Sequence, residues 1–241
     1  MRAQARHQLK QDKFSKTTIR VAENTVHWTQ EHQSKLILAA GILVVVVAAV
    51  IGGWYYLNRQ DQQASLGLSQ ALRTLDTPIR PAGTPAQAEV PSFASSKERA
   101  TAARKQLQEI VSQYPHTRSA DMAHYFIGLT SVDLGDNTTA ERELKEVGSS
   151  HNEELAALAN CALASVYRRE NRNKDTIELY KKIVDKPTRT VSRATAQLEL
   201  ATTYQADNQP LEAKRVYQEV QKQNPTSEAS QLATRKLEAL K

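Results

Sequence analysis

The sequence predicts an all-α protein: one N-terminal membrane-spanning helix followed by a solenoid of stacked helical hairpins. Three observations lead there. Residues 36–57 form a run of 22 residues without a charge, LILAAGILVVVVAAVIGGWYYL. Later in the chain, matching residue classes recur at spacings of 36 and 37 residues. From Lys97 onward apolar residues follow the helical period, and no stretch alternates as a strand would.

The N-terminal leader, residues 1–35, carries seven Lys or Arg against three acids. Its first 18 residues are polar and basic. Val21, Thr25, Trp28 and His32 then share one helical face, which predicts a short helix over residues 19–33. With its basic neighbours that helix suits either an anionic lipid surface or a solvated tail.

Residues 36–57 follow. At about 1.5 Å per residue they reach about 33 Å, enough for a hydrocarbon core of about 30 Å. A helix satisfies its own backbone groups in lipid, so length overrides the strand preference of Val44, Val45, Val46 and Val47. Trp54, Tyr55 and Tyr56 stand where amphipathic rings favour the headgroup layer. The far flank balances Arg59 with Asp61. The positive-inside rule therefore places the leader in the cytoplasm and residues 58–241 on the other side of the membrane. The leader and core are too long for a cleaved signal peptide, and no Cys follows the core as a lipoprotein would require.

Residues 58–241 carry net +2 of the chain's +6, so the basic balance is largely a matter of topology and does not point to nucleic acid. Residues 66–75 have helical spacing (Leu68, Leu72, Leu75) and continue from the membrane helix. Residues 76–96 form an irregular insert, with Pro78, Pro81, Pro85, Pro91 and Gly83 breaking the periodicity. Ala103, Leu107, Ile110 and Pro115 then carry the pattern of a second helix, so residues 66–75 and this helix make a first pair interrupted by the insert.

Three further pairs repeat one pattern. Gly128, Ala164 and Ala201 each follow a bulky residue (Ile127, Leu163, Leu200). Tyr167 and Tyr204 match three positions on, where the first of these units has Ser131. In the second helices Ala140, Thr176 and Ala213 align, then Leu144, Tyr180 and Tyr217, then Val147, Ile183 and Val220. The turns LGDN (residues 134–137), RENRN (169–173) and ADNQP (206–210) offer Gly or Asn where the backbone must reverse. Small residues let paired helices approach and bulky ones fill the groove beside them. A lone hairpin cannot cover its apolar face, so the pairs stack. A last helix over residues 227–240 caps the array with Leu232, Leu237 and Leu240.

This constellation resembles the tetratricopeptide repeat, a helix–turn–helix unit near 34 residues. The order small, aromatic, small, aromatic, Pro is fullest in Ala201, Tyr204, Ala213, Tyr217 and Pro225. The middle unit reads Ala164, Tyr167, Thr176, Tyr180 and Pro187. The first, Gly128, Ser131, Ala140 and Leu144, lacks the final Pro. The resemblance implies a tetratricopeptide-like helical-repeat solenoid that holds a protein or peptide ligand in a groove lined by its first helices. The polar positions of those helices supply the candidate groove residues Asp121, His124, Tyr125, Asn160, Arg193, Gln197 and Thr203.

No enzyme chemistry is legible. His116, His124 and His151 lie on separate elements without metal-ligand spacing, and no glycine-rich phosphate loop is present. Ser149, Ser150 and His151 belong to a turn without the strand-to-helix setting that activates a nucleophile. The lone Cys161 permits no internal disulfide and reads as a small core residue. We expect no catalytic residues, cofactor or metal.

The layout as a whole is similar to the YfgM-like ancillary subunit of the bacterial Sec translocon. That resemblance implies a bacterial inner (cytoplasmic) membrane with the repeats in the periplasm, and partners among translocon subunits and periplasmic chaperones. The long basic leader and the Pro-rich insert depart from it. An envelope-assembly coordinator serving the outer membrane or peptidoglycan, or a membrane-bound regulator, fits the same layout.

Overall fold

The computed structural model describes residues 33–85, 91–223 and 225–240. The basic leader and its expected short helix lie, but for their last residues, outside the described part. The chain divides after Tyr56 into two compact units.

Helix α1 runs Gln33–Asp76 and enters both units. In residues 37–57 every side chain is exposed, including Val44, Val45, Ile51 and Trp54. Among the described residues this is the one helix long and apolar enough to cross a membrane. An apolar surface of this kind is stable only when something apolar covers it.

From Leu57 on, the second unit holds the end of α1 and then α2 (Ser96–Gln113), α3 (Arg118–Leu134), α4 (Asn137–Gly148), α5 (Glu153–Arg169), α6 (Asn173–Asp185), α7 (Arg193–Ala206), α8 (Pro210–Gln223) and α9 (Glu228–Glu238). These are the predicted pairs α1/α2, α3/α4, α5/α6 and α7/α8, with α9 as the cap. The fold is the all-α helical-repeat solenoid that the sequence predicts.

Local chemistry sets the helix boundaries. Ser95, Thr117, Asp136, Asn152, Ser192 and Ser227 each accept a hydrogen bond from the backbone N–H three residues on, satisfying an orphan donor of the first turn. Pro210 opens α8, where its missing N–H costs nothing. In each of the three full turns one residue takes the left-handed conformation: Gly135 (φ 78°), Asn171 (φ 59°) and Asn208 (φ 57°). Asn137 Nδ2 donates to Glu170 Oε1 at 2.9 Å, and Asn173 Nδ2 to Asp207 Oδ1 at 3.2 Å, so each turn is tied to the next.

The Pro-rich insert is pinned at its two ends. Ile79 and Phe93 form an isolated bridge, with Arg80 N–H donating to Phe93 O at 2.9 Å and Phe93 N–H to Pro78 O at 3.1 Å. The insert therefore closes on itself between α1 and α2 rather than spacing them apart.

The core follows the repeat pattern. Ala140, Leu144, Ala164, Tyr167, Tyr180, Ala201, Tyr204, Ala213 and Tyr217 are all buried in one cluster. Each fully buried large side chain contributes about 1.5–3 kcal/mol. Thr176, at a position taken by Ala in the other units, stays satisfied by donating to Arg172 O at 3.0 Å. A second cluster joins Ala64 and Ala71 of α1 to Leu107, Ile110, Ala123 and Ile127.

Candidate functional site

A groove of about 310 Å³ opens between the first helices of three successive pairs. Tyr125 of α3 forms one wall, Cys161, Ser165 and Arg168 of α5 the centre, and Glu199 of α7 the other wall, with Tyr180 of α6 at the floor. Arg168 Nη1 meets Glu199 Oε2 at 2.7 Å across the rim, both half-exposed. Burial, with the negative charge of Glu199 adding to it, raises the Tyr180 hydroxyl well above its ordinary value, so it stays a neutral donor. Burial likewise pushes the Cys161 thiol up to about 11. Cys161 is half-buried on the groove wall, not inside the core as the sequence suggests. An un-ionised thiol there is a contact surface, not a nucleophile.

The candidate residues separate by helical register. Tyr125 lies three positions before Gly128, as Cys161 does before Ala164, and both line the groove. His124, Asn160 and Gln197 lie four positions before the matching small residues Gly128, Ala164 and Ala201; His124 and Asn160 turn toward α4, and Gln197 turns into the interior. His124 Nδ1 sits 2.6 Å from Glu143 Oε2 on α4. Asn160 Nδ2 donates to Gly148 O at 3.2 Å and faces a separate cleft of about 340 Å³ lined by Lys145 of α4, Lys182 of α6 and Arg172 of the turn before α6. Gln197 is 1 % exposed, and Thr203 is fully buried like Thr130 in the equivalent position. Gln197 and Thr203 are therefore core residues and cannot line a surface groove: one residue of rotation, about 100°, carries a side chain from the groove wall into the interior. Asp121 is partly buried one turn before His124, and Arg193 is exposed at the start of α7.

Ser165, Arg168 and Glu199 escape the sequence reading. Arg168 and Glu199 look like ordinary solvated charges, and only their meeting across two helices marks them. A signal was available for Ser165, which lies one position after Ala164 and so shares a face with Cys161.

The interface between pairs uses a different device. Arg172 stacks on the Tyr167 ring, with Cζ 3.9 Å from its centroid, and donates to Glu141 Oε2 at 2.8 Å. Tyr167 donates to Glu141 Oε1 at 2.9 Å and Lys145 Nζ bonds the same oxygen at 2.6 Å. Lys145, then Arg172 and Tyr167, hold the Glu141 carboxyl down at about 2, against a smaller push from burial.

Residues 26–179 match a tetratricopeptide repeat-like domain, and residues 195–227 match a tetratricopeptide repeat. The chain belongs to the tetratricopeptide repeat-like family. Its fold is shared with a solved structure from Podosopora anserina, described as a kinesin light chain with nearly identical tetratricopeptide-like repeats. The two are 16 % identical with a TM-score of 0.55, over 75 % of this chain and 85 % of that one. A comparison with curated proteins found no match. This tetratricopeptide-repeat chain is a protein-interaction scaffold and not an enzyme.

Proposed function

We propose that the protein is a membrane-anchored scaffold that holds an extended peptide segment of a partner in the groove between α3, α5 and α7. The observation that carries this reading is the groove itself: first helices of three pairs converge on an open cleft with an apolar floor and one charged pair at the rim. Apolar lining supplies affinity, and a few fixed polar groups supply orientation. The exposed apolar face of residues 37–57 supports anchoring, and the charge of the leader supports a cytoplasmic N-terminus with the repeats in the periplasm.

Within that reading the partner is the protein-export machinery. The chain serves as an ancillary translocon subunit, passing exported segments to periplasmic chaperones. The support is the layout: one membrane helix leads into a divergent repeat unit. An envelope-assembly role has the same layout but engages its partners through the repeats alone.

A photo-crosslinker at Ser165 in intact membranes, followed by mass spectrometry, tests the groove and its occupant. Translocon or exported-protein adducts that disappear when residues 36–57 are replaced by an unrelated membrane helix are the expected result. Adducts to envelope-assembly factors that survive that replacement overturn the translocon reading and leave the groove standing. Protease added from each side of the membrane tests the topology, and cleavage of the repeats from the cytoplasmic side overturns it.

A further inference from the structure

Asp121 and His124 are three residues apart on α3, and Glu143 and Glu146 are three apart on α4. That spacing puts each pair on one helical face. The hairpin brings the two faces together, so that His124, Glu143 and Glu146 offer ligand atoms within 4.8 Å of one another. We propose that this cluster binds a divalent transition-metal ion through His124 Nε2 and Glu146, with water completing the shell and Glu143 positioning the imidazole.

The two sides of the His124 ring have different tasks. Glu143 is buried, and its carboxylate only accepts hydrogen bonds, so Nδ1–H of His124 donates to Oε2 at 2.6 Å. Arg142 Nη2 takes the other oxygen, Oε1, at 2.6 Å. Both Glu143 oxygens are thus engaged, and the carboxylate orients the ring as carboxylates behind metal-bound histidines do. On the far side, Nε2 stands 3.8 Å from Glu146 Oε1. That gap is too long for a hydrogen bond. It fits two donors sharing one ion, since bonds of about 2.0–2.2 Å bring their atoms within about 4 Å of each other.

One imidazole with a carboxylate suits Zn²⁺, Mn²⁺ or Co²⁺ rather than the all-oxygen preference of Ca²⁺ and Mg²⁺. Paired three-residue spacings on facing helices are also how helical bundles hold metal ions in their cores. The equivalent positions in the next two units, Asn160 and Gln197, carry amides, so the site belongs to this pair alone.

The test uses the full-length protein in detergent micelles, stripped with a chelator, then titrated with Zn²⁺ by calorimetry and with Co²⁺ by visible d–d absorption. The leader contributes His7, His27 and His32, so each readout is the difference between wild type and variant. Glu146→Gln, at an exposed position, is expected to leave the metal-free melting temperature unchanged and to weaken Zn²⁺ at least about tenfold. Glu143→Gln is expected to weaken it by about 10–100-fold through loss of ring orientation. Co²⁺ spectra of wild type should show a nitrogen–oxygen site that Glu146→Gln alters. Unchanged Zn²⁺ affinity and stoichiometry in Glu146→Gln overturns the site. So does a Glu143→Gln variant that loses thermal stability but takes up Zn²⁺ like wild type, because His124 is then only an ion-pair partner.

Discussion

Gly128 and Leu144 meet so closely that a Cβ added at Gly128 would lie 2.6 Å from Leu144 Cγ. The later pairs have Ala at this position and Tyr opposite it. The α3/α4 pair instead combines the smallest residue with a branched side chain that is fully buried and has nowhere to withdraw.

Gly128→Ala is therefore expected to destabilise the protein despite a helix-propensity gain of about 1 kcal/mol. Overpacking a filled core costs about 1–3 kcal/mol, which outweighs that gain. Urea denaturation followed by circular dichroism measures the loss. The double variant Gly128→Ala with Leu144→Ala should be more stable than the sum of the two single effects predicts, because removing the Leu144 branch makes room for the new methyl.

The Glu141 cluster gives a pH signature with a definite sign. Its carboxyl is held at about 2 in the fold, below its ordinary value of 4.5. A depressed acid stabilises the fold above its unfolded value and loses that contribution as pH falls through the folded one. The stability advantage of wild type over Glu141→Gln should be constant above about pH 5, shrink below 4.5 and vanish near pH 2. Urea midpoints of the two proteins at matched pH check it, and an advantage that grows on acidification would contradict the Lys145, Arg172 and Tyr167 contacts.

Cys161 reports on the groove. With its thiol pushed up to about 11, roughly one molecule in 1,000 carries the thiolate at pH 8. Alkylation should be slow at that pH and rise about tenfold per pH unit until near pH 10. A peptide ligand seated between Tyr125 and Arg168 should slow it further. Mass spectrometry of the modified peptide follows both effects.

Gln197 and Tyr125 separate packing from recognition. Gln197 Oε1 is buried without a hydrogen-bond partner among the described residues. Leaving such an acceptor unsatisfied costs about 1–3 kcal/mol, so Gln197→Leu should hold or raise the melting temperature and leave crosslinking from Ser165 unchanged. Tyr125→Ala should leave the fold intact, since the ring is only partly buried, and reduce that crosslinking several-fold.

The helical pairs, their turns, the cap and the small–large packing code were legible because each rests on short-range chemistry. Ala213 with Tyr217, or Gly135 at a left-handed turn, declares itself within a few residues. The Ser192 and Ser227 caps are equally local. The candidate site was legible only in part. Tyr125 lines the groove, whereas Gln197 and Thr203 lie in the core.

Composition and periodicity by themselves determined the membrane-length apolar run, the order of helices and the positions that must be small. They leave the azimuth of each helix open, because adjacent residues differ by about 100° and several polar positions compete for the same face. Only packing against the neighbouring second helices decided that Tyr125 and Cys161 look into the groove while His124, Asn160 and Gln197 look away. The same packing set Arg168 beside Glu199 and His124 between Glu143 and Glu146, contacts between side chains 19 to 31 residues apart in sequence that no local pattern encodes.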